Sequence, residues 1–145
     1  MSLFWLIAAL VGVGGDDPAC LLLAGLDTTR TQAFVSDDER RLRDVYLNEQ
    51  VARADVDTLR SYRERGLRLE GMLLVRESCR FAGRSAESIT LDIVDRLGPT
   101  WVRAKDGSRR ELPRDRPTPR TVVLELTEFG WRVAAVGSGE RPLER

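Results

Sequence analysis

Three side chains of this 145-residue chain are of the types that can form an acid–base site. Glu77 and Asp95 each alternate in phase with the apolar residues of a predicted strand, which places both carboxylates on the covered face of a sheet. A carboxylate in an apolar pocket can act as a general base, and the Tyr46 hydroxyl can donate a hydrogen bond to a developing oxyanion. Glu77, Asp95 and Tyr46 are therefore the candidate catalytic residues.

The separation of the two acids depends on the register of their strands. If the turn at 83–86 sets that register, Val75 lies opposite Asp95 and Glu77 lies opposite Ile93. The two carboxylates are then diagonal neighbours at roughly 7–8 Å. The alternative is that the acids lie at strand ends or pair with arginines, and a one-residue bulge would turn either of them outward.

Four aromatic side chains are candidates for the wall of a ligand cavity: Phe34, Tyr46, Trp101 and Trp131. The alternative function of these rings is core packing, with the Tyr46 hydroxyl at the rim of the core. An enzyme needs an open cavity with an acid at its floor, whereas an interaction domain can have the same space filled by Phe34, Leu42 and Trp131.

The amino-acid composition argues against several classes of function. Histidine is absent, which removes Ser-His and Cys-His nucleophiles and the commonest metal ligand. Lys plus Arg and Asp plus Glu are equal at 23 each, so the whole molecule is not expected to attract nucleic acid. The basic stretch 103–120 is predicted to be a solvated loop region, and neither a cofactor nor a metal is predicted.

Cys20 and Cys79 are the only cysteines. Their spacing matches neither a zinc site nor a redox pair, so they are either two buried thiols or one disulfide. Buried thiols are favoured, and a disulfide would be favoured instead if the domain lies outside the cytoplasm.

The first 16 residues form a separate apolar segment. Residues 3–13 are continuously apolar apart from Gly12, and they would extend only about 16 Å as a helix. That length is too short to cross a bilayer of roughly 30 Å, and a basic signal-peptide start is missing. Three interpretations remain, namely the end of a membrane anchor, a helix docked on the domain and a partner-binding segment, and the anchor is favoured.

Helices are predicted in succession after this segment. Asp17 can cap a first helix that runs to about Val35, with Asp27 and Arg30 away from its apolar face. A short second helix follows the capping pattern at 36–39 and carries Tyr46. A third helix is predicted to begin at a cap on Asp55 and to end near residue 66.

At residue 67 the apolar period changes from that of a helix to that of a strand. A long strand is predicted over 67–81, with a bend at Gly71, and a second strand over 88–97. Two hairpins are then expected, one around the Asp-Gly turn at 106–107 and one over 119–136. The fold class is therefore α+β, with three N-terminal helices packed on one face of a curved, mostly antiparallel sheet.

This order of elements resembles the nuclear transport factor 2-like (cystatin-like) superfamily over 17–137. The closing motif GWRVAAV is similar to the last strand of many such domains. The resemblance implies a cone between helices and sheet, and frequent dimers through the exposed face of the sheet. Its ketosteroid isomerases and polyketide cyclases work with carboxylates and a tyrosine inside the cone.

A narrower resemblance is to uncharacterised actinobacterial proteins that carry an N-terminal signal or membrane segment. It is carried by the strings LAGLDTTRTQAF, LRDVY, DVDTLRSYRERGLRLEGM, VDRLG and ELPRDRP. It implies a membrane-associated or exported protein, with a cytoplasmic protein as the alternative.

Three regions are expected: the apolar segment 1–16, the domain 17–137 and a flexible tail 138–145. The leading functional hypothesis is a non-enzymatic domain that binds a partner or a small apolar ligand. The alternative is a cofactor-independent isomerase or cyclase. Further expected partners are a second copy through the sheet and a membrane through the N-terminal segment.

Overall fold

A computed structural model describes residues 17–139 of the chain. The apolar segment and the end of the tail, as defined from the sequence, lie outside the described residues. Three helices precede the strands, as the sequence predicts, and the described residues form seven strands where the sequence predicts six. The helices are α1 (Pro18–Ser36), α2 (Glu39–Arg43) and α3 (Glu49–Glu64). The strands are β1 (Arg68–Glu70), β2 (Leu74–Arg84), β3 (Ser88–Leu97), β4 (Trp101–Arg103), β5 (Arg109–Glu111), β6 (Thr118–Thr127) and β7 (Gly130–Ser138).

Capping residues define where the helices begin. Asp17 caps α1 by accepting a hydrogen bond from the Ala19 amide, which confirms the predicted start. Helix α3 instead begins after Asn48, whose side chain accepts from the Val51 amide. The predicted cap at Asp55 is therefore wrong, and Asp55 lies in the interior of α3, where it is free to pair with another helix.

The main sheet has the order β2-β3-β6-β7, and every pairing in it is antiparallel. The predicted hairpin at 119–136 corresponds to β6 and β7, and β7 extends to Ser138, one residue beyond the predicted end of the domain. On the other side of β7, Val133 exchanges backbone hydrogen bonds with Val45 and Leu47 after α2. The helical layer is therefore hydrogen-bonded to one edge of the sheet.

The predicted long strand over 67–81 is divided between two sheets. β1 ends at Glu70, and Gly71 adopts a positive φ of 63°, a conformation that residues other than glycine rarely adopt. The chain then enters β2, while β1 pairs with β4 in a second sheet of order β1-β4-β5. The bend expected at Gly71 is thus a complete break between sheets, and the hairpin around residues 106–107 is confirmed as β4 and β5.

A β-bulge in β2 determines which side chains face the helices. Arg76 pairs with Asp95 and Ser78 pairs with Val94, so Glu77 is the extra residue. The bulge shifts the alternation by one, so that Arg76 and Cys79 both face the covered side although they are three residues apart. The predicted inward direction of Glu77 is therefore wrong, because it assumes regular alternation through 75–79. The predicted register is wrong from the turn onwards, because Arg84 pairs with Ile89, and Cys79 rather than Glu77 lies opposite Ile93.

Buried side chains form two core clusters, one under each sheet. The upper cluster joins the first turns of α1 to the centre of the main sheet, and the lower cluster joins the end of α1, α2 and α3 to the small sheet. Leu91 and Leu124 are fully buried in the upper cluster, and Leu42 and Ala52 in the lower one. The space between the two clusters lies where the chain crosses from one sheet to the other.

Cys20 and Cys79 form a disulfide, which corrects the expectation of two buried thiols. The bond joins the first turn of α1 to the middle of β2, with 6.2 Å between the two Cα atoms. Sequence spacing alone does not reveal this pairing, because the two cysteines lie 59 residues apart and meet only when α1 packs against β2.

No helix within residues 17–139 is long and apolar enough to cross a lipid bilayer.

We expect the disulfide to stabilise the fold mainly by restricting the unfolded chain. A link across 59 residues raises the free energy of unfolding by about 4 kcal/mol in the chain-entropy estimate. Urea unfolding of Cys20→Ser/Cys79→Ser should therefore show a lower midpoint than the oxidised wild type. Reductant should lower the midpoint of the wild type and leave that of the double variant unchanged; equal midpoints for the oxidised wild type and the double variant would exclude this role.

Candidate ligand cavity

An open cavity of about 330 Å³ lies between the two core clusters. Its wall is mostly apolar and comes from α1, α3, β1, the main sheet and the segments that connect the two sheets. The apolar lining includes Leu23, Phe34, Leu69, Met72, Leu74, Ile93, Leu97, Leu112, Val122, Val133 and Val136. The volume lies near the lower end of the range usual for small-molecule sites.

One stripe of α1 crosses the cavity. Leu23, Asp27, Arg30 and Phe34 follow one another at intervals of four, three and four residues, which is the spacing of one helical face. The sequence analysis assigned Asp27 and Arg30 to another face, and that assignment is wrong. The regular spacing with Leu23 and Phe34 is the sequence signal that would have identified both charged residues.

Arg76 connects this stripe to the sheet. Its Nη2 donates a hydrogen bond to Oδ2 of Asp27 and lies 3.7 Å from Oδ2 of Asp95. Asp95 also accepts a hydrogen bond of 3.0 Å from Nε of Arg120. Nε of Arg76 is buried and has no hydrogen-bond partner among the described residues. The cavity therefore has a charged wall in which one guanidinium lies between two carboxylates.

Burial changes the protonation of Asp27. Loss of solvent raises the pKa of its carboxyl above the usual value, and the nearby Asp95 charge acts in the same direction. The charge and the hydrogen bond of Arg76 act in the opposite direction but do not cancel the effect of burial. Burial at the cavity wall thus perturbs the pKa of Asp27, a residue that the sequence does not predict as a site residue.

A second charged group joins α1 to α3. Arg30 donates to both carboxylate oxygens of Asp55, and Tyr46 donates its hydroxyl hydrogen to the same carboxylate. Burial, together with the charge and hydrogen bond of Asp55, raises the pKa of Tyr46 above its usual value, although Arg30 opposes this. The tyrosine is therefore held neutral, with its hydrogen directed to Asp55.

The three residues predicted to act together are not brought together. Asp95 is 6% exposed and lines the cavity, as expected for an inward carboxylate. Glu77 lies in the bulge, and its side chain is 42% exposed and pairs with Arg96 on the outer face. Tyr46 lies after α2 rather than within it, and it is not among the described residues that line the cavity.

Of the four aromatic residues predicted to line a cavity, Phe34 does so. Trp101 lies on β4, where the guanidinium of Arg109 stacks 4.3 Å from the centre of its ring. Trp131 lies on β7 and packs against the upper core cluster. Tyr46 contacts both core clusters instead of the cavity. Phe34, Leu42 and Trp131 therefore leave the space open.

Among residues 17–139, no three side chains of the metal-binding types are grouped so that they could hold a metal ion.

Replacing each predicted acid by its amide should have a different effect on stability for the inner carboxylate, Asp95, than for the outer one, Glu77. Asp95→Asn removes the carboxylate to which Arg120 donates and one of the two carboxylates beside Arg76, so the free energy of unfolding should fall by about 2–3 kcal/mol. Glu77→Gln removes an exposed pair on the same two strands and should change it by no more than about 0.5 kcal/mol. Urea unfolding at neutral pH measures both, and equal effects would contradict the assignment of the two faces.

Asp27→Asn should alter how stability depends on pH. The pKa of Asp27 is higher in the folded chain, so the folded state binds more protons between the unfolded and folded values. The stabilisation from this proton is present below the unfolded value and is lost as the pH rises through the folded one. Urea unfolding from about pH 4 to about pH 7 should therefore show the variant gaining stability relative to the wild type. A constant difference, or one of opposite slope, would contradict the raised pKa.

No protein-family profile matches the chain, and no curated protein is similar to it in sequence. Solved structures are similar in fold. The intermembrane space region of the chloroplast protein ARC6 is 12% identical, with a TM-score of 0.60, and the match covers 83% of this chain and 94% of that one.

Two Streptomyces proteins give similar matches. A nuclear transport factor 2-like family protein from Streptomyces avermitilis is 10% identical at a TM-score of 0.54, over 79% of this chain and 90% of that one. Aln2 from another Streptomyces strain is 8% identical at a TM-score of 0.54, over 85% and 93% of the two chains. These identities show shared fold alone, and the chain therefore has the α+β fold of the nuclear transport factor 2-like proteins.

Proposed function

We propose that this chain is a binding domain that takes a small, largely apolar ligand into the cavity between α1 and the main sheet. The observation that carries the proposal is the open space of about 330 Å³ between two well-packed clusters. Protein interiors are normally filled, and empty spaces larger than a water molecule are few. An opening of this size, lined by apolar side chains together with four acids and three arginines, has the character of a ligand site.

The arrangement of polar groups supports binding more than catalysis. The isomerase alternative needs a base and an oxyanion donor that face the same space. Glu77 lies on the outer face, the Tyr46 hydroxyl is engaged with Asp55, and Asp95 is held by arginines. The solved structure from Streptomyces avermitilis is described as a candidate dehydratase, so this fold also carries proposals of catalysis in other chains. Catalysis is the second candidate function, and Asp27 and Asp95 are the acids that would take part in it, because both line the cavity.

The disulfide supports a location outside the reducing cytoplasm, because such bonds persist in oxidising compartments. With the apolar residues 3–13 as a tether, the domain would bind its ligand at the membrane surface or outside the cell. A dimer through the outer face of the sheet remains a prediction from the resemblance. That face carries the ion pairs Arg80–Asp92 and Arg96–Glu77.

Titration with a small neutral probe tests the binding function. Phenethyl alcohol has an apolar ring and no charge, and we expect saturable binding with a dissociation constant on the order of 1 mM. In NMR spectra of the full chain, the amide signals of Phe34, Ile93 and Val122 should shift with one common affinity. An absence of saturable shifts at these positions, with phenethyl alcohol and equally small neutral probes, would overturn the proposal.

A matched pair of tryptophan variants locates the site. Val136 lines the cavity near its mouth and is 51% exposed, so Val136→Trp should narrow the entrance and weaken binding at least about tenfold. Leu126 is 43% exposed on the neighbouring strand and is not among the described lining residues. Leu126→Trp should therefore leave the affinity unchanged.

A further inference from the structure

The charged wall of the cavity carries more acidic than basic side chains. Its deep part holds three carboxylates, those of Asp27, Asp55 and Asp95, against the two guanidinium groups of Arg30 and Arg76. Arg30 and Asp55 form a closed bidentate pair. Arg76 is therefore left as the deep cation for both Asp27 and Asp95.

The third arginine of the wall, Arg120, hydrogen-bonds to Asp95 and not to Asp27. Arg120 reaches Asp95 from the rim, where its own side chain is 40% exposed. Its hydrogen bond goes to Asp95, so it leaves Asp27 with Arg76 alone as a hydrogen-bonding partner among the described residues. Asp115, which accepts a hydrogen bond from the Leu97 amide, also lines the cavity. The lining as a whole thus has four acids and three arginines and is one positive charge short.

Asp27 lies at the cavity wall, where a positively charged ligand could reach its carboxylate. Its side chain is largely buried at the cavity wall, and the hydrogen bond from Arg76 engages its Oδ2 oxygen, which leaves Oδ1 without a hydrogen-bond partner within residues 17–139. The apolar Leu23 and Phe34 lie one turn before and two turns after it on the same stripe of α1. A group bound at Asp27 would therefore have an apolar surface beside it.

We propose that the cavity selects a small amine, with its ammonium group on the Asp27 carboxylate and its apolar body against Leu23, Phe34 and Ile93. This inference rests on the proposed binding function and names the ligand class for the same site. An ammonium group supplies the missing positive charge and donates hydrogen bonds to the open carboxylate oxygen. An anionic ligand would add a negative charge to a wall that already has an excess of acids.

The unpartnered Nε of Arg76 shows that the charged group is incompletely satisfied without a ligand. It does not favour an anion by itself, because that nitrogen is buried beneath the surface of the wall. The groups that face Asp27 are Arg30 from its own helix, Arg76 from β2 and Asp95 from β3. Arginine stays charged throughout the accessible range of pH, so titration near this site is limited to the carboxyls.

Three probes of similar size test the ligand class. Phenethylamine, phenethyl alcohol and phenylacetate share a ring and a short chain and differ in charge. Titrated into the full chain and followed by NMR or calorimetry, the amine should bind about tenfold more tightly than the alcohol, and the carboxylate most weakly. Asp27→Asn should remove the preference for the amine over the alcohol, while Glu77→Gln, on the outer face, should retain it.

The outcomes separate this inference from the proposed function. If the alcohol binds in the cavity as well as the amine, or phenylacetate binds best, the preference for a cation is wrong and the binding function stands. If none of the three binds there, both are wrong. If Asp27→Asn does not fold, the wild type alone decides: affinity for the amine should rise with pH across the weakly acidic range, and affinity for the alcohol should not. Parallel pH profiles would overturn the inference.

Discussion

The helix layer is held to the sheet at two points on α1, and the spacing between these points restricts the whole domain. Cys20 is bonded to Cys79, and seven residues later Asp27 pairs with Arg76. Seven residues of helix rise about 10.5 Å, and three residues of strand span about 10 Å, so the two attachments are in step. Helix α1 must therefore run antiparallel to β2 with a defined register, and this register sets the floor of the cavity.

The bulge at Glu77 is what makes both attachments compatible. In a regular strand, residues three apart face opposite sides, so Arg76 and Cys79 could not both meet α1. The extra residue brings both to the covered face and sends its own carboxylate outward to Arg96. The covalent link and the charged wall thus depend on the same local irregularity, which is typical of bulges next to functional surfaces.

Local periodicity predicts α1, the helices before strands, and the two hairpins, because caps, turns and alternation are determined by near neighbours. It also places Asp95 inward correctly, since β3 is regular throughout. It fails at Glu77 and Arg76, because a bulge leaves no clear mark in composition. It also fails at Asp27 and Arg30, which are predicted on another face of α1 although their spacing with Leu23 and Phe34 places them on the covered stripe.

An irregularity of this kind also affects how such a domain can change over generations. If β2 paired regularly with β3 and kept all of its residues, the inner and outer faces of the residues before Ser78 would be exchanged. Arg76 would leave the cavity and Val75 and Glu77 would enter, so a slip of one residue in the pairing of β2 could change the charge of the wall. Chains of this fold could therefore acquire different ligand chemistry by a shift of register in a single strand, with the core on either side unaltered.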